Sequence, residues 1–192
     1  MEKGSSMERA DDLALVRRFR NGDEGAFNQL VRKYQETVYR LCYRMVRNAD
    51  DAQDLTQEAF MKAYLSLPRF RERSGFYTWI YRIATNLCIN FSKKRSARKK
   101  AVLGSIFGDP AIELDRRTAG VAINAAISSL PPRQRAVFVM RHYEGMSYED
   151  IARVTKRSVG AMKASYHHAV LKLRDLLKLS LIHISEPTRQ AE

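Results

Sequence analysis

SYEDIARVTKRSVGAMKASYHHAVLKLRDLL, residues 147–177, is the stretch whose reading decides the fold. Ser147 can cap a helix over Tyr148–Val154, and Asp150 three residues on makes a short-chain capping box. Thr155-Lys156-Arg157 is a compact connection, after which Ser158 can cap a longer helix reaching about Leu177. Met162, Tyr166, Ala169, Leu173 and Leu177 recur at helical spacing as an inward stripe, leaving Lys163, Ala164, His167 and His168 on other faces. Ile151 and Ala152 can then meet Val159 and Met162 across the turn. This is the layout of a helix-turn-helix, whose second helix enters the DNA major groove; a plain helical hairpin is the competing reading. Adjacent residues on a helix diverge, so His167 and His168 do not grip one metal; they are phosphate or base contacts, or plain surface.

Working outward, Arg133–His142 reads as a helix presenting Val137, Phe138 and Met140, followed by a Glu144-Gly145-Met146 turn. Pro131-Pro132 separates it from a small apolar helix over Ala119–Leu130. Upstream the pattern weakens, and Gly104, Gly108 and Pro110 mark residues 97–118 as a flexible linker. Before the linker, helical spacing returns over Asp11–Arg20, Glu24–Val46, Ala52–Ser66 and Phe76–Ser92. The expected fold is all-α: one small helical domain over residues 12–96 and a second over 119–179.

The first domain ends in RFRERSGFYTWIYRIATNLCINFSKKRSARKK, residues 69–100, with ten Lys/Arg against the single acid Glu72. Basic groups neutralise phosphates and exposed rings stack on unpaired bases, which fits a nucleic acid whose strands are being separated. The competing reading is a helix whose aromatics are core and whose basic tail is solvated. Trp79, Ile80, Ile83, Ala84 and Leu87 form its apolar stripe, and Tyr77, Tyr81, Asn86 and Asn90 are expected to be partly exposed. An Asn amide can read a base edge, and Asn is otherwise a poor helix former.

Net charge is +13 and uneven: residues 1–68 hold eleven basic and eleven acidic groups, whereas 69–100 contribute +9. That asymmetry suggests a protein partner on one surface and an anionic polymer on another. On the preceding helix Asp54 and Glu58 share one side, with Gln57 beside them and Phe60 turned inward; the face is either solvated or a protein-docking surface. Cys42 and Cys88 lack metal-ligand spacing and read as buried thiols. No nucleophile with a base, phosphate-binding glycine loop or paired-Cys motif appears, so neither catalysis, a metal nor a cofactor is expected. The start lacks an apolar leader and no membrane-spanning run is present, so the default expectation is a cytoplasmic protein.

Four blocks carry a resemblance: AFNQLVRKYQETVYRL (26–41), DAQDLTQEAFMKAY (51–64), FYTWIYRIATNLCINF (76–91) and the segment 129–177. In this order they resemble the sigma-70 family, specifically the extracytoplasmic-function group of bacterial RNA polymerase sigma factors. The resemblance covers most of positions 12–178. It implies a first domain that serves the promoter −10 element and a second that reads the −35 element, with core RNA polymerase performing the chemistry. The helix bearing Asp54, Gln57, Glu58 and Phe60 would dock on the clamp helices of the largest polymerase subunit, the flap being a further contact. The loop with Arg69, Phe70, Arg71, Ser74 and Phe76 would capture a flipped base. Tyr77, Trp79, Arg82, Asn86, Asn90, Lys93, Lys94 and Arg95 would hold the opened strand, with Trp79 mostly core. Arg157, Ser158, Lys163, Ala164, His167 and His168 would contact the −35 duplex. The group is often held by an anti-sigma protein, a partner encoded in no motif here.

The chain departs from the family pattern at Ala161, where Thr is usual, and at Ala164-Ser165, where a Ser-Arg pair is common; the following basic position is His168. Missing guanidinium groups weaken or redirect −35 recognition, leaving Lys163 and His167 to carry it. Residues 180–192, SLIHISEPTRQAE, resemble read-through sequence and are expected to form a non-native or disordered tail. The main competing function is a helix-turn-helix regulator binding an operator without a polymerase role. A more distant one is an RNA-binding or scaffold protein.

Overall fold

The computed structural model describes residues 2–72, 74–103 and 119–184, and every regular element among them is helical. Helix α1 (Glu2–Arg20) turns at Gly22, whose φ of 93° suits glycine, into α2 (Glu24–Val46). Asp23 caps α2 by accepting from the Ala26 amide at 3.2 Å. Arg47 closes α2 in the left-handed conformation, and Asn48 immediately caps α3 (Ala49–Ser66) by accepting from the Asp51 amide at 2.8 Å. A 3-10 turn at Leu67–Arg69 and a short loop lead to α4 (Phe76–Leu103).

Helices α1 to α4 pack around Leu30, Leu41, Met45, Ala59, Ile80 and Ala84, the periodic residues of the sequence, all buried. Cys42 and Cys88 are free and buried within this core. Two expectations change. Helix α1 begins well before Asp11, and its Asp12 is buried, accepting from Lys33 Nζ at 2.7 Å and the Tyr34 hydroxyl at 2.5 Å. Helix α4 continues past the expected end at Ser92 to Leu103, so the first part of the anticipated linker is helical. The rest of that linker, residues 104–118, lies outside the described residues.

The second module comprises α5 (Ala119–Ser129), α6 (Pro132–Phe138), a π turn at Val139–Tyr143, α7 (Tyr148–Thr155) and α8 (Val159–Ile184). Ile127, Leu130, Phe138, Ala169 and Leu173 form its own small core. Helix α8 runs past the expected end near Leu177 to Ile184, and residues 185–192 of the anticipated tail lie outside the described residues. The helix-turn-helix is built from the anticipated residues. The Ser147 Oγ accepts from the Asp150 amide at 3.0 Å and donates to its carboxylate at 2.6 Å. Asp150 is held below the usual carboxylate range: burial opposes this, but the Ser147 hydroxyl and the Arg153 guanidinium outweigh it. Lys156 ends α7 in the left-handed region, φ 54°, and Ser158 caps α8 through the Ala161 amide at 3.2 Å.

The two modules do not stand apart. One continuous core joins Tyr81 and Ala84 of α4 to Val137, Met140, Ile151, Val154 and Met162 of the second module.

Candidate nucleic-acid interface

Helix α3 carries the acidic face. Asp54 and Gln57 are exposed, Glu58 is half-buried and bonded to Lys62 at 2.8 Å, and Phe60 is in the core. The same face continues into Met61 and Leu65, 59% and 71% exposed, which the sequence reading passed over. Positions 54, 58, 61 and 65 follow the helical repeat, so the spacing was the available signal. Acid followed by exposed apolar side chains in helical register has the composition of a protein-docking surface.

The loop before α4 is pinned by its one acid. Glu72 sits at φ 54° and takes Arg17 and Arg20 of α1, each at 2.8 Å. The hydrogen bond from Arg17, aided by Arg20, holds its carboxyl below the ordinary range. Arg20 also donates to the Phe70 carbonyl. These contacts leave Arg69 and Arg71 exposed and Ser74 half-buried. Phe70 and Phe76 are turned into the core, Phe70 against Trp79 at 4.8 Å between ring centroids and Phe76 against Tyr34 at 5.7 Å. Trp79 is half-buried between them, matching its place in the apolar stripe.

Along α4 the face expected to be open is partly covered. Tyr81, expected to be partly exposed, is fully buried. Its ring packs on half-buried Tyr77 at 4.4 Å, and its hydroxyl donates to Glu144 of the second module at 3.4 Å. Burial, with like-sign neighbours second, pushes the Tyr81 phenol well above its ordinary value. Glu144, at the end of the π turn, is 7% exposed and also accepts from Arg44 of α2, whose guanidinium lies 4.6 Å over the Tyr143 ring. Arg82 donates to the Arg153 and Val154 carbonyls at 2.8 and 3.3 Å. Asn86 lines a cavity of about 310 Å³ with Arg157, Ala161 and Ser165, so the start of α8 faces α4. Beyond the seam, Asn90, Lys93, Lys94 and Arg95 are exposed, and Arg95 reaches Asp51 at 3.4 Å.

On the second module Arg157, Ser158, Lys163, Ala164, His167 and His168 are all exposed. They follow the turn and the successive faces of α8, and Lys163 Nζ stands 6.0 Å from the Tyr148 ring centroid. Tyr166 of the inward stripe packs as expected of that stripe: its ring stacks on Phe138 at 5.9 Å and meets Tyr148 edge-on at 6.1 Å. Among the described residues no three His, Cys, Asp or Glu side chains converge as a metal site. No helix among them is long and apolar enough to cross a membrane.

Residues 30–98 match the family described as Sigma-70 region 2, and residues 120–173 match Sigma-70, region 4. The chain is 38% identical over 172 residues to the RNA polymerase sigma-H factor of Pseudomonas aeruginosa, covering 82% of this chain and 89% of that protein. It is 35% identical over 176 residues to the ECF RNA polymerase sigma-E factor of Haemophilus influenzae, covering 84% and 93% respectively. Among solved structures it resembles CnrH in complex with the cytosolic domain of CnrY, with a TM-score of 0.65 and 25% identity over 88% of this chain and 98% of that one.

Proposed function

Because the chain belongs to the extracytoplasmic-function group of the sigma-70 family of RNA polymerase sigma factors, we propose a division of its promoter work between the two modules. The protein is a sigma factor that binds core RNA polymerase and promoter DNA. Asp54, Gln57 and Glu58, with Met61 and Leu65, form the polymerase-docking stripe, which Phe60 supports from the core. The observation that carries this reading is the placement of that stripe on the same four-helix module as basic, ring-bearing α4.

In the proposal, Arg69, Arg71 and Ser74 meet the flipped base at the edge of the pinned loop, and Phe70 and Phe76 hold the loop from beneath. Tyr77, Arg82, Asn86 and Asn90, with Lys93, Lys94 and Arg95, hold the separated −10 strand, and Trp79 buttresses the helix. Unpairing costs a few kcal/mol per base, roughly, and stacking with phosphate neutralisation offsets it. On the second module Arg157, Ser158, Lys163, His167 and His168 meet the −35 duplex, and Ala164 permits close approach. The clamp helices and flap are the proposed polymerase contacts. On family grounds we add an anti-sigma partner and a cytoplasmic location.

Tyr77, Tyr81 and Arg82 are engaged by the second module in this arrangement. Strand capture therefore requires the seam to open, and polymerase, by engaging the modules at separate places, supplies the differential binding that opens it. The test is reconstitution: core polymerase with and without this protein, assayed for initiation and opening at a cognate promoter. Specific duplex binding without stimulated initiation would refute the assignment of roles.

A further inference from the structure

The seam contains a second cavity, of about 430 Å³, farther along α4 and lined by residues of its 91–96 stretch. Arg47 and Arg95 line it from the first module and Arg135 from the second, and Ser92, Ser96 and Ser128 add hydroxyls. Among the described residues no carboxylate lines it. The nearest acid with a described partner in the wall is Asp51, which Arg95 holds at 3.4 Å.

Two of these guanidinium groups are incompletely satisfied. Arg135 is 9% exposed; its terminal nitrogens donate to the Met45 carbonyl at 2.7 Å, the Leu130 carbonyl at 3.1 Å and the Ser128 carbonyl. Those carbonyls lie at helix ends, where a cation is favoured, and they explain why Arg135 is buried. Its Nε nevertheless has no partner, and neither does the buried Nε of Arg47. Burial, and then the like charge of Arg47, push the Arg135 guanidinium below its ordinary value. Two cations thus share a partly enclosed space with no anion between them among the described residues. Such an arrangement is unfavourable unless a counter-charge enters.

We infer that this cavity is a binding site for a phosphoryl anion, held by Arg47 and Arg135 with Arg95 at its mouth. Guanidinium forks match phosphate oxygens in pairs, and the serine hydroxyls can supply further donors. The volume lies within the range of small-molecule sites and admits a diphosphate. Phe91, Pro131 and Pro132 form an apolar shoulder beside the cations, suited to the flat ring of a nucleotide. Because the walls come from both modules, an occupant links them and favours the closed seam.

The phosphoryl group could be that of a free nucleotide or of a nucleic-acid backbone, and calorimetry on the full chain separates the two. Inorganic pyrophosphate, adenosine diphosphate and a short single-stranded DNA are titrated at one ionic strength, fixed with chloride. Pyrophosphate is expected to bind, and Arg47→Gln to weaken it by roughly tenfold or more, the worth of a charge-assisted contact. Arg32→Gln, which removes an exposed charge on the same helix outside the cavity, is expected to leave binding within about twofold of the parent. Adenosine diphosphate binding more tightly than pyrophosphate identifies a free nucleotide. DNA that displaces pyrophosphate from the parent but binds Arg47→Gln weakly identifies backbone phosphate. Absence of pyrophosphate binding, or equal losses in the two variants with unchanged thermal melting, would overturn the site. Neither result bears on polymerase stimulation, so the promoter role stands or falls separately.

Discussion

Replacing Glu144 by Gln should loosen the seam between the two modules. Glu144 is the one carboxylate placed to take both Arg44 and the Tyr81 hydroxyl; its side chain is 7% exposed and that of Arg44 26%. Removing one member of a fully buried ion pair costs roughly 3–5 kcal/mol, and an exposed pair is worth roughly 0–1. The partial exposure of Arg44, and the Tyr143 ring that remains against it, place the expected loss between these limits, at about 2 kcal/mol. That is a change of roughly 30-fold in the closed-to-open ratio. Fluorophores on cysteines introduced at Gln53 and Lys172, both exposed, would report separation, since native Cys42 and Cys88 are buried. The variant should show a longer mean distance and tighter binding of single-stranded −10 DNA in the absence of polymerase, because the competent fraction limits apparent affinity. Arg82→Ala, which removes two inter-module hydrogen bonds without touching Glu144, should lengthen the mean distance in the same way. If Glu144→Gln left distance and affinity unchanged while the second module melted normally, the seam would not be a barrier to strand binding.

Four further outcomes are expected. Asp54→Ala with Glu58→Ala should weaken assembly with core polymerase, measured by fluorescence anisotropy, and Leu65→Ala should weaken it again by roughly tenfold if its exposed side chain is buried on docking. Tyr77→Ala or Asn86→Ala should spare assembly and impair promoter opening, scored by reactivity of unpaired thymines; the reverse pattern would exchange the two surfaces. Lys163→Ala with His167→Ala should erase protection over the −35 element, and an unchanged base-specific footprint would rule out their proposed role. Glu72 has a folded pKa below its ordinary value of 4.5, so its hold on Arg17 and Arg20 is fully present above that value and is lost as pH falls through the folded one. Trp79, the single tryptophan and in contact with Phe70, should report this as an acid-induced fluorescence change that Glu72→Gln shows already at neutral pH.

Most of the helical scaffold was legible because its signals are local. Helix α2 has the anticipated limits since Asp23 and Asn48 are caps on either side of an unbroken apolar repeat. The Ser147 and Ser158 caps similarly fixed the helix-turn-helix. Basic residues hid the end of α4: Lys93 to Arg98 read as a solvated tail, yet Lys and Arg are good helix formers and simply extend the preceding turns. The burial of Asp12 left no local signal because its partners, Lys33 and Tyr34, are more than twenty positions away. Glu72 looked like a lone exception in a basic stripe for the same reason, its partners lying on α1. The polymerase, −10 and −35 roles came from the resemblance; composition left each of those faces with a bland alternative.

The seam was hidden for a deeper reason than distance in sequence. A surface that holds unpaired bases needs rings and cations together, and rings exposed to water are unfavourable until a partner covers them. The second module supplies such a cover. It places Met140, Ile151 and Val154 in one core with Tyr81 while carbonyls take the Arg82 guanidinium. The sequence pattern places Tyr77 and Tyr81 outside the apolar stripe, and rings at such positions read the same whether their cover is a nucleobase or another part of the chain. The ionic contacts mark the cover that the chain provides: Glu144 takes both Arg44 and the Tyr81 hydroxyl, and a carboxylate is a group that nucleic acid does not carry. Glu144 therefore marks the closed arrangement of this chain, and the proposed strand capture must exceed its contribution.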